Sequence, residues 1–221
     1  MKINRNMVNL KDVKLLIFDL DGTLFQTIGP ETESVKMSLR DMGLEVDNLE
    51  EKVKGYIGKT TEESYKSLLP SDQLHRWEEL EEKVLKYFNE AILKNGESFP
   101  GVIETLQALK QRGYKLALYS NAPIGYFEYV PDYLGITKFF DYAECVDENN
   151  LTKPVLINKI KTKLGELDAA VVGDRIQDIE AAKENGLISI GALYGYGKEE
   201  AEKADLTINE FSDLLKIFNI K

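Results

Sequence analysis

Leu15-Leu16-Ile17-Phe18-Asp19-Leu20-Asp21-Gly22-Thr23-Leu24 decides the fold. With Lys14 before it, the apolar run to Phe18 has the length and residue types of a buried strand. It runs straight into two carboxylates and a glycine, residue types depleted in strands, so the strand should end at Phe18. In an open parallel sheet, ligands bind outside the C-terminal ends of the strands. Two carboxylates this close repel each other and call for a shared proton or a cation. The plainer reading is an Asx-type turn, since Asp-Gly is also a common turn dipeptide.

Working outward, four further runs read as buried strands: Lys115–Tyr119, Tyr142–Val146, Ala169–Gly173 and Ile188–Ala192. Helical patterns lie between them. Val102–Arg112 stops at Gly113, Val155–Leu164 at Gly165, and Asp178–Asn185 at Gly186, each glycine a favoured helix terminator. Strands alternating with helices across short connections predict a parallel, doubly wound α/β sheet. One stretch breaks the alternation. From about Thr27 to Gly96 the patterns are helical, most clearly over Ser71–Asn95, where Leu74, Trp77, Leu80, Val84, Phe88 and Ala91 recur at spacings of three or four. That periodicity predicts an amphipathic helix with Trp77 in its core. So many helices after one strand predict an inserted helical domain, with re-entry through Phe99-Pro100-Gly101.

Of the 221 residues, 43% are hydrophobic and 30% charged, and the net charge is -10. Such a chain can bury a sizeable core. Its acidity makes nucleic acids and anionic membranes poor partners, and an anionic substrate would need a local cationic site. A single cysteine, Cys145, excludes an internal disulfide and a thiolate metal site. Met1–Val13 is polar and no apolar run reaches membrane-span length, so the expected location is cytoplasmic.

The other strand ends change the reading of the first. Ser120-Asn121 ends the second strand, Lys153-Pro154 follows the third, and Gly173-Asp174-Arg175 ends the fourth, with Asp178 four residues beyond Asp174. In a parallel sheet these segments converge on one edge, bringing four carboxylates, a lysine and a hydroxyl together. Carboxylate oxygens suit magnesium, and lysine suits a phosphate.

These segments, in this order, resemble the motifs of the haloacid dehalogenase superfamily, in its phosphatase branch with a helical C1-type cap. Asp19-Leu20-Asp21-Gly22-Thr23-Leu24 is similar to the first motif, Ser120-Asn121 to the second, Lys153-Pro154 to the third, and Gly173-Asp174-Arg175 through Asp178 to the fourth. The resemblance implies a Rossmann-like core from residues 1–25 and 98–221 and a helical cap from 26–97. It implies a magnesium-dependent phosphatase, phosphoglycolate phosphatase-like, acting on a small phosphorylated metabolite. In that scheme Asp19 is the nucleophile that becomes an aspartyl-phosphate, and Asp21 is the general acid and base. Ser120, Asn121 and Lys153 hold the phosphoryl group. Asp19, Asp21 (by its carbonyl), Asp174 and Asp178 surround Mg2+, and Thr23 orients the loop and Asp21. Asp21 also separates phosphatases from true dehalogenases, which lack it.

Several features stand beside this reading. Gly58-Lys59-Thr60 has the end of a P-loop, but Val53 stands where its first glycine belongs. By the resemblance Lys59 is a candidate for the substrate's anionic end; equally, it is a solvent-facing lysine before a helix capped by Thr60 or Thr61. His75 reads as a surface residue. The loop Ala122–Pro131, with Tyr126, Phe127 and Tyr129, would touch substrate or pack in the core. Arg175 would pair with a carboxylate or face the phosphate entrance. Gln26 and Leu156 depart from the family pattern, where an acidic residue and a second proline are common. Two further functions share the motifs: a β-phosphoglucomutase-like phosphosugar mutase and a non-catalytic binding module. The motifs speak to the reaction; substrate choice belongs to the cap, and oligomeric state is open.

Overall fold

The computed structural model of the protein describes residues 10–57, 59–146, 151–165 and 167–220. Most of the N-terminal stretch Met1–Val13, and Gly58 of the Gly58-Lys59-Thr60 segment, lie outside the described residues. The chain divides into two compact units, one of Met1–Leu24 with Phe99–Lys221 and the other of Phe25–Ser98.

The first unit is built on six parallel strands: β1 (Leu15–Asp19), β2 (Lys115–Ser120), β3 (Tyr142–Cys145), β4 (Ala169–Gly173), β5 (Ile188–Ala192) and β6 (Leu206–Ile208). Their spatial order is β3-β2-β1-β4-β5-β6. The order reverses around β1, the topological switch point at which open α/β sheets bind ligands. β1 lies between β2 and β4, with Leu15 opposite Lys115 on one side and Ala169 on the other. All five residues of β1 and all five of β4 are buried. A strand covered on both faces needs no polar alternation, which is why these segments are unbroken apolar runs.

The second unit is all helical: α1 (Ile28–Asp41), α2 (Leu49–Tyr56), α3 (Thr61–Lys66) and α4 (Trp77–Asn95). α1 packs on α4. Leu80, Val84, Phe88, Ala91 and Ile92 bury one stripe of α4, and Val35, Leu39, Ser34 and Ser38 one stripe of α1. The two serines satisfy themselves locally: Ser34 Oγ donates to Glu31 O at 3.0 Å and Ser38 Oγ to Ser34 O at 2.7 Å, a pattern open to small hydroxyl residues inside a helix. Where the chain enters and leaves this unit, Phe25 and Ser98 form an antiparallel bridge. Gln26, the departure from the acidic pattern, locks it by donating Nε2 to Ser98 O at 2.9 Å.

Two expectations about α4 are corrected. The helix begins at Trp77, after a 3-10 turn over Leu74–Arg76, and not at Ser71. Leu74 is exposed and Trp77 only partly buried, so neither belongs to the core. Lys66 Nζ instead lies 6.0 Å from the Trp77 ring centroid. The 3.6-residue period continued one turn beyond the helix because a 3-10 turn shares its spacing of three.

The remaining helices belong to the first unit: α5 (Val102–Gln111), α6 (Ile124–Tyr133), α7 (Lys153–Lys163), α8 (Ile176–Glu184), α9 (Lys198–Ala201) and α10 (Asp213–Ile217). Here α6 corrects the expected loop over Ala122–Pro131. Pro123 precedes its first turn in extended conformation, and Pro131 lies inside the helix near its last turn, where the helix goes without one i→i−4 hydrogen bond. Leu156, the second departure, is fully buried in α7. Among the described residues no helix is long and apolar enough to cross a membrane.

Candidate active site

Asp19 is the last residue of β1, and the chain turns sharply after it. Leu24 N–H donates to Leu20 O at 2.9 Å, and Gly22 takes φ 80°. A side chain at Gly22 would be strained by that φ, and its Cβ would lie 2.6 Å from Asp174 Oδ2. Glycine is therefore required on both counts. Asp174 follows β4, the neighbour of β1, and Asp178 sits in the first turn of α8. Lys153 opens α7, and Ser120 ends β2.

These placements converge. Lys153 Nζ donates to Asp19 Oδ1 at 2.9 Å and to Asp178 Oδ1 at 2.6 Å. Asp19, Asp174 and Asp178, all buried, each offer a carboxylate oxygen within 4.8 Å of the others. Asp178 is also held by Tyr119 Oη, which donates to Oδ1 at 2.6 Å, and by the Arg175 N–H, which donates to Oδ2 at 3.0 Å. Asp174 Oδ2 accepts the Tyr196 N–H at 2.7 Å and the Gly197 N–H at 3.3 Å.

Asp21 occupies a different setting two residues from Asp19. It is only partly buried. Ser120 Oγ donates to its Oδ2 at 3.3 Å, and the Tyr126 hydroxyl donates to its Oδ1. Ser120 Oγ is itself fixed by the Ala122 N–H at 3.0 Å. Asn121, beside it, is exposed. Lys59 lies in the helical unit, exposed, with its N–H donating to Tyr56 O at 2.8 Å.

Electrostatics follow from three buried carboxylates facing one ammonium. Burial pushes the Asp19 carboxyl well above the usual range; Lys153 opposes this, and Asp178, Asp174 and Asp21 add to it. Burial and then the charge of Asp178 push Asp174 up from 3.8 to about 7. Burial alone would lower Lys153, but the charges and hydrogen bonds of Asp178 and Asp19 outweigh it and raise its pKa. The ammonium therefore stays charged, and negative charge remains in excess. Clustered hard oxygen donors with such an excess fit a divalent hard cation. This cluster could hold a metal ion.

One expectation changes form, and for Arg175 the carboxylate pairing is the alternative the structure shows. Thr23 Oγ1 makes its side-chain contact with Asp174 Oδ1, at a long 3.5 Å, rather than with Asp21. Arg175 pairs with Glu200 of α9 at 3.5 Å, and Glu200 also accepts the Ile176 N–H at 2.7 Å. His75 is exposed, and Thr60 rather than Thr61 precedes α3, its Oγ1 accepting the Glu63 N–H at 3.4 Å.

Residues that sequence reasoning missed come mainly from one segment. Tyr194-Gly195-Tyr196-Gly197, after β5, supplies both backbone donors to Asp174, and Tyr194 Oη donates to Thr23 O at 2.9 Å. A Cβ at Gly195 would lie 2.3 Å from Asp174 Cβ and 2.5 Å from Gly22 O. The signal available was a Gly-x-Gly pair just past a predicted strand end.

Residues 16–192 match the family model described as haloacid dehalogenase-like hydrolase. The chain belongs to the haloacid dehalogenase-like hydrolase family. Its similarity extends over nearly the whole length. It is 32% identical to a phosphoglycolate phosphatase of Aquifex aeolicus, covering 94% of this chain and 97% of that one. A phosphoglycolate phosphatase of Vibrio parahaemolyticus is 29% identical, over 94% and 96%. Among solved structures, one described as a predicted phosphoglycolate phosphatase from Haemophilus somnus superposes with TM-score 0.82 at 27% identity, covering 95% of this chain and 99% of that one. The chain is a phosphatase of this family, and the parallel sheet carrying Asp19, Ser120 and Asp174 at its strand ends is the family's α/β core.

Proposed function

We propose that this haloacid dehalogenase-like phosphatase is magnesium-dependent and hydrolyses a small-metabolite phosphomonoester through an aspartyl-phosphate on Asp19. The observation that carries the proposal is the divergence of two neighbouring carboxylates. Asp19 is buried against Lys153 in the metal-fitting cluster, while Asp21 is partly exposed and bound by two hydroxyls. Carboxylates held in contrasting environments divide the labour of nucleophile and acid.

Asp19, Asp174 and Asp178, with the Asp21 carbonyl, would hold the magnesium ion, which supplies positive charge against the substrate's phosphate. In the first half-reaction an Asp19 oxygen bonds to phosphorus as the phosphorus–leaving-oxygen bond breaks. That bond's electron pair goes to the leaving oxygen, which takes the proton of Asp21. In the second half a water gives a proton to Asp21 and bonds to phosphorus. The phosphorus–Asp19 bond breaks, its electrons return to the carboxylate, and inorganic phosphate is released. Lys153 fixes Asp19 for attack and, with Ser120 and the Asn121 amide, faces the transferring phosphoryl group.

The helical unit fits an inserted cap that selects substrate, and Lys59 is the proposed contact for an anionic end such as a carboxylate. Relatives named phosphoglycolate phosphatase make phosphoglycolate the first substrate to try. The test is a panel of metabolite phosphates with magnesium, with Asp19→Ala as the blank. Magnesium-dependent phosphate release that vanishes in Asp19→Ala is expected. Release that persists in that variant sinks the proposal.

A further inference from the structure

Tyr126 stands in the first turn of α6, six residues beyond the serine that ends β2. Its hydroxyl donates to Asp21 Oδ1, while Ser120 Oγ donates to Asp21 Oδ2 at 3.3 Å. Each oxygen of Asp21 is thus held by a hydroxyl from a different element, one at a strand end and one on a helix. Both anchors are themselves secured. Ser120 Oγ accepts the Ala122 N–H at 3.0 Å, and beside Tyr126 the buried Phe127 has its N–H on Pro123 O at 3.0 Å.

The chemistry of the two holders matters. Lys153, the neighbouring cation, goes to Asp19 and Asp178 instead. A hydroxyl both donates and accepts, so it can orient a carboxyl without neutralising it as an ammonium or guanidinium would. Two hydroxyls on opposite oxygens fix the plane of the carboxyl group. Position is worth a large factor in a proton transfer, because small displacements of the reacting groups are costly.

We infer that Tyr126 is a positioning residue for Asp21, clamping the carboxyl together with Ser120 so that it meets the leaving oxygen. The inference rests on the reading of Asp21 as proton donor given above. Tyr126 itself touches neither phosphorus nor the leaving group, and no bond to it forms or breaks.

The experiment measures single-turnover release of the leaving alcohol by the full chain with magnesium. It uses two esters, p-nitrophenyl phosphate and phosphoglycolate. Nitrophenolate departs with little help from an acid, whereas an alkoxide needs the proton. Tyr126→Phe removes the hydroxyl and keeps the ring. Its rate is expected to fall at least about tenfold more on phosphoglycolate than on p-nitrophenyl phosphate, with KM little changed. A purely structural role would slow both esters alike, and an equal loss, or none, overturns the inference. Asp21→Asn in the same assay separates this from the underlying reading. If Asp21→Asn shows the leaving-group-dependent loss and Tyr126→Phe does not, only the role of Tyr126 falls. If Asp21→Asn itself lacks it, the assignment of Asp21 falls and the inference with it.

Discussion

Lys153 Nζ bridges Asp19 and Asp178, at 2.9 and 2.6 Å, from a side chain that is only 5% exposed. One ammonium from the start of a helix thus ties the end of the central strand to the first turn of another helix. In a chain of net charge -10, it is a buried cation set against two buried carboxylates.

Removing that cation leaves buried carboxylates facing one another. Lys153→Met should lower stability by about 3–5 kcal/mol. Paired with Asp178→Asn it should show coupling, the double variant losing less than the sum of the singles. Urea unfolding of the four proteins without metal checks this; strict additivity contradicts the bridge.

Without divalent metal, stability should fall as pH rises. The folded pKa of Asp174 is raised from 3.8 to about 7, so between those values the folded chain keeps a proton that the unfolded chain has released. The stabilisation is fully present below pH 3.8 and is lost as pH passes through about 7. In chelator, the melting temperature should drop across this window, and Asp174→Asn should flatten the drop. Magnesium should stabilise more at the alkaline end, where it no longer competes with that proton. An increment independent of pH contradicts the assignment.

Gly195→Ala should cut turnover about a hundredfold while leaving the sheet intact. The new Cβ would meet Asp174 Cβ at 2.3 Å and Gly22 O at 2.5 Å, so either Asp174 or the Gly22 turn must move. A shift on the order of 1 Å is enough for a roughly hundredfold loss. Circular dichroism unchanged beside lost phosphatase activity is the expected pair of results.

Tyr119→Phe removes the 2.6 Å hydrogen bond to Asp178 Oδ1 deep in the core. Lys153 still holds that oxygen, so the cost should be about 1.5–3 kcal/mol, the range for a hydrogen bond to a charged group. Thermal unfolding measures it, and no change would mean that the phenol does not support Asp178.

Much of this was legible in the residues. β1, β2, β4 and β5 announced themselves because a strand buried on both faces must be an apolar run, and Asp19, Ser120 and Asp174 announced themselves as polar residues where those runs stop. β6, only Leu206–Ile208, was missed because three residues at a sheet edge carry Thr207 in their middle and show no period. The grip of Tyr196 and Gly197 on Asp174 was missed for another reason: it is made by backbone N–H groups, which every residue but proline has. Tyr126 was weighed as a residue of a loop. Only its place on α6 turns the hydroxyl to Asp21.

The position of β1 has a consequence for how the chain is made. The central strand leaves the ribosome first, yet its partner Lys115–Ser120 follows about a hundred residues later and Ala169–Gly173 later still. At about 5–20 residues per second, Leu15–Phe18 waits roughly 5–20 s for its first neighbour. The first of the six strands to be made is thus a fully buried apolar run left without a partner for that interval, so newborn chains should lean on chaperones in proportion to that delay.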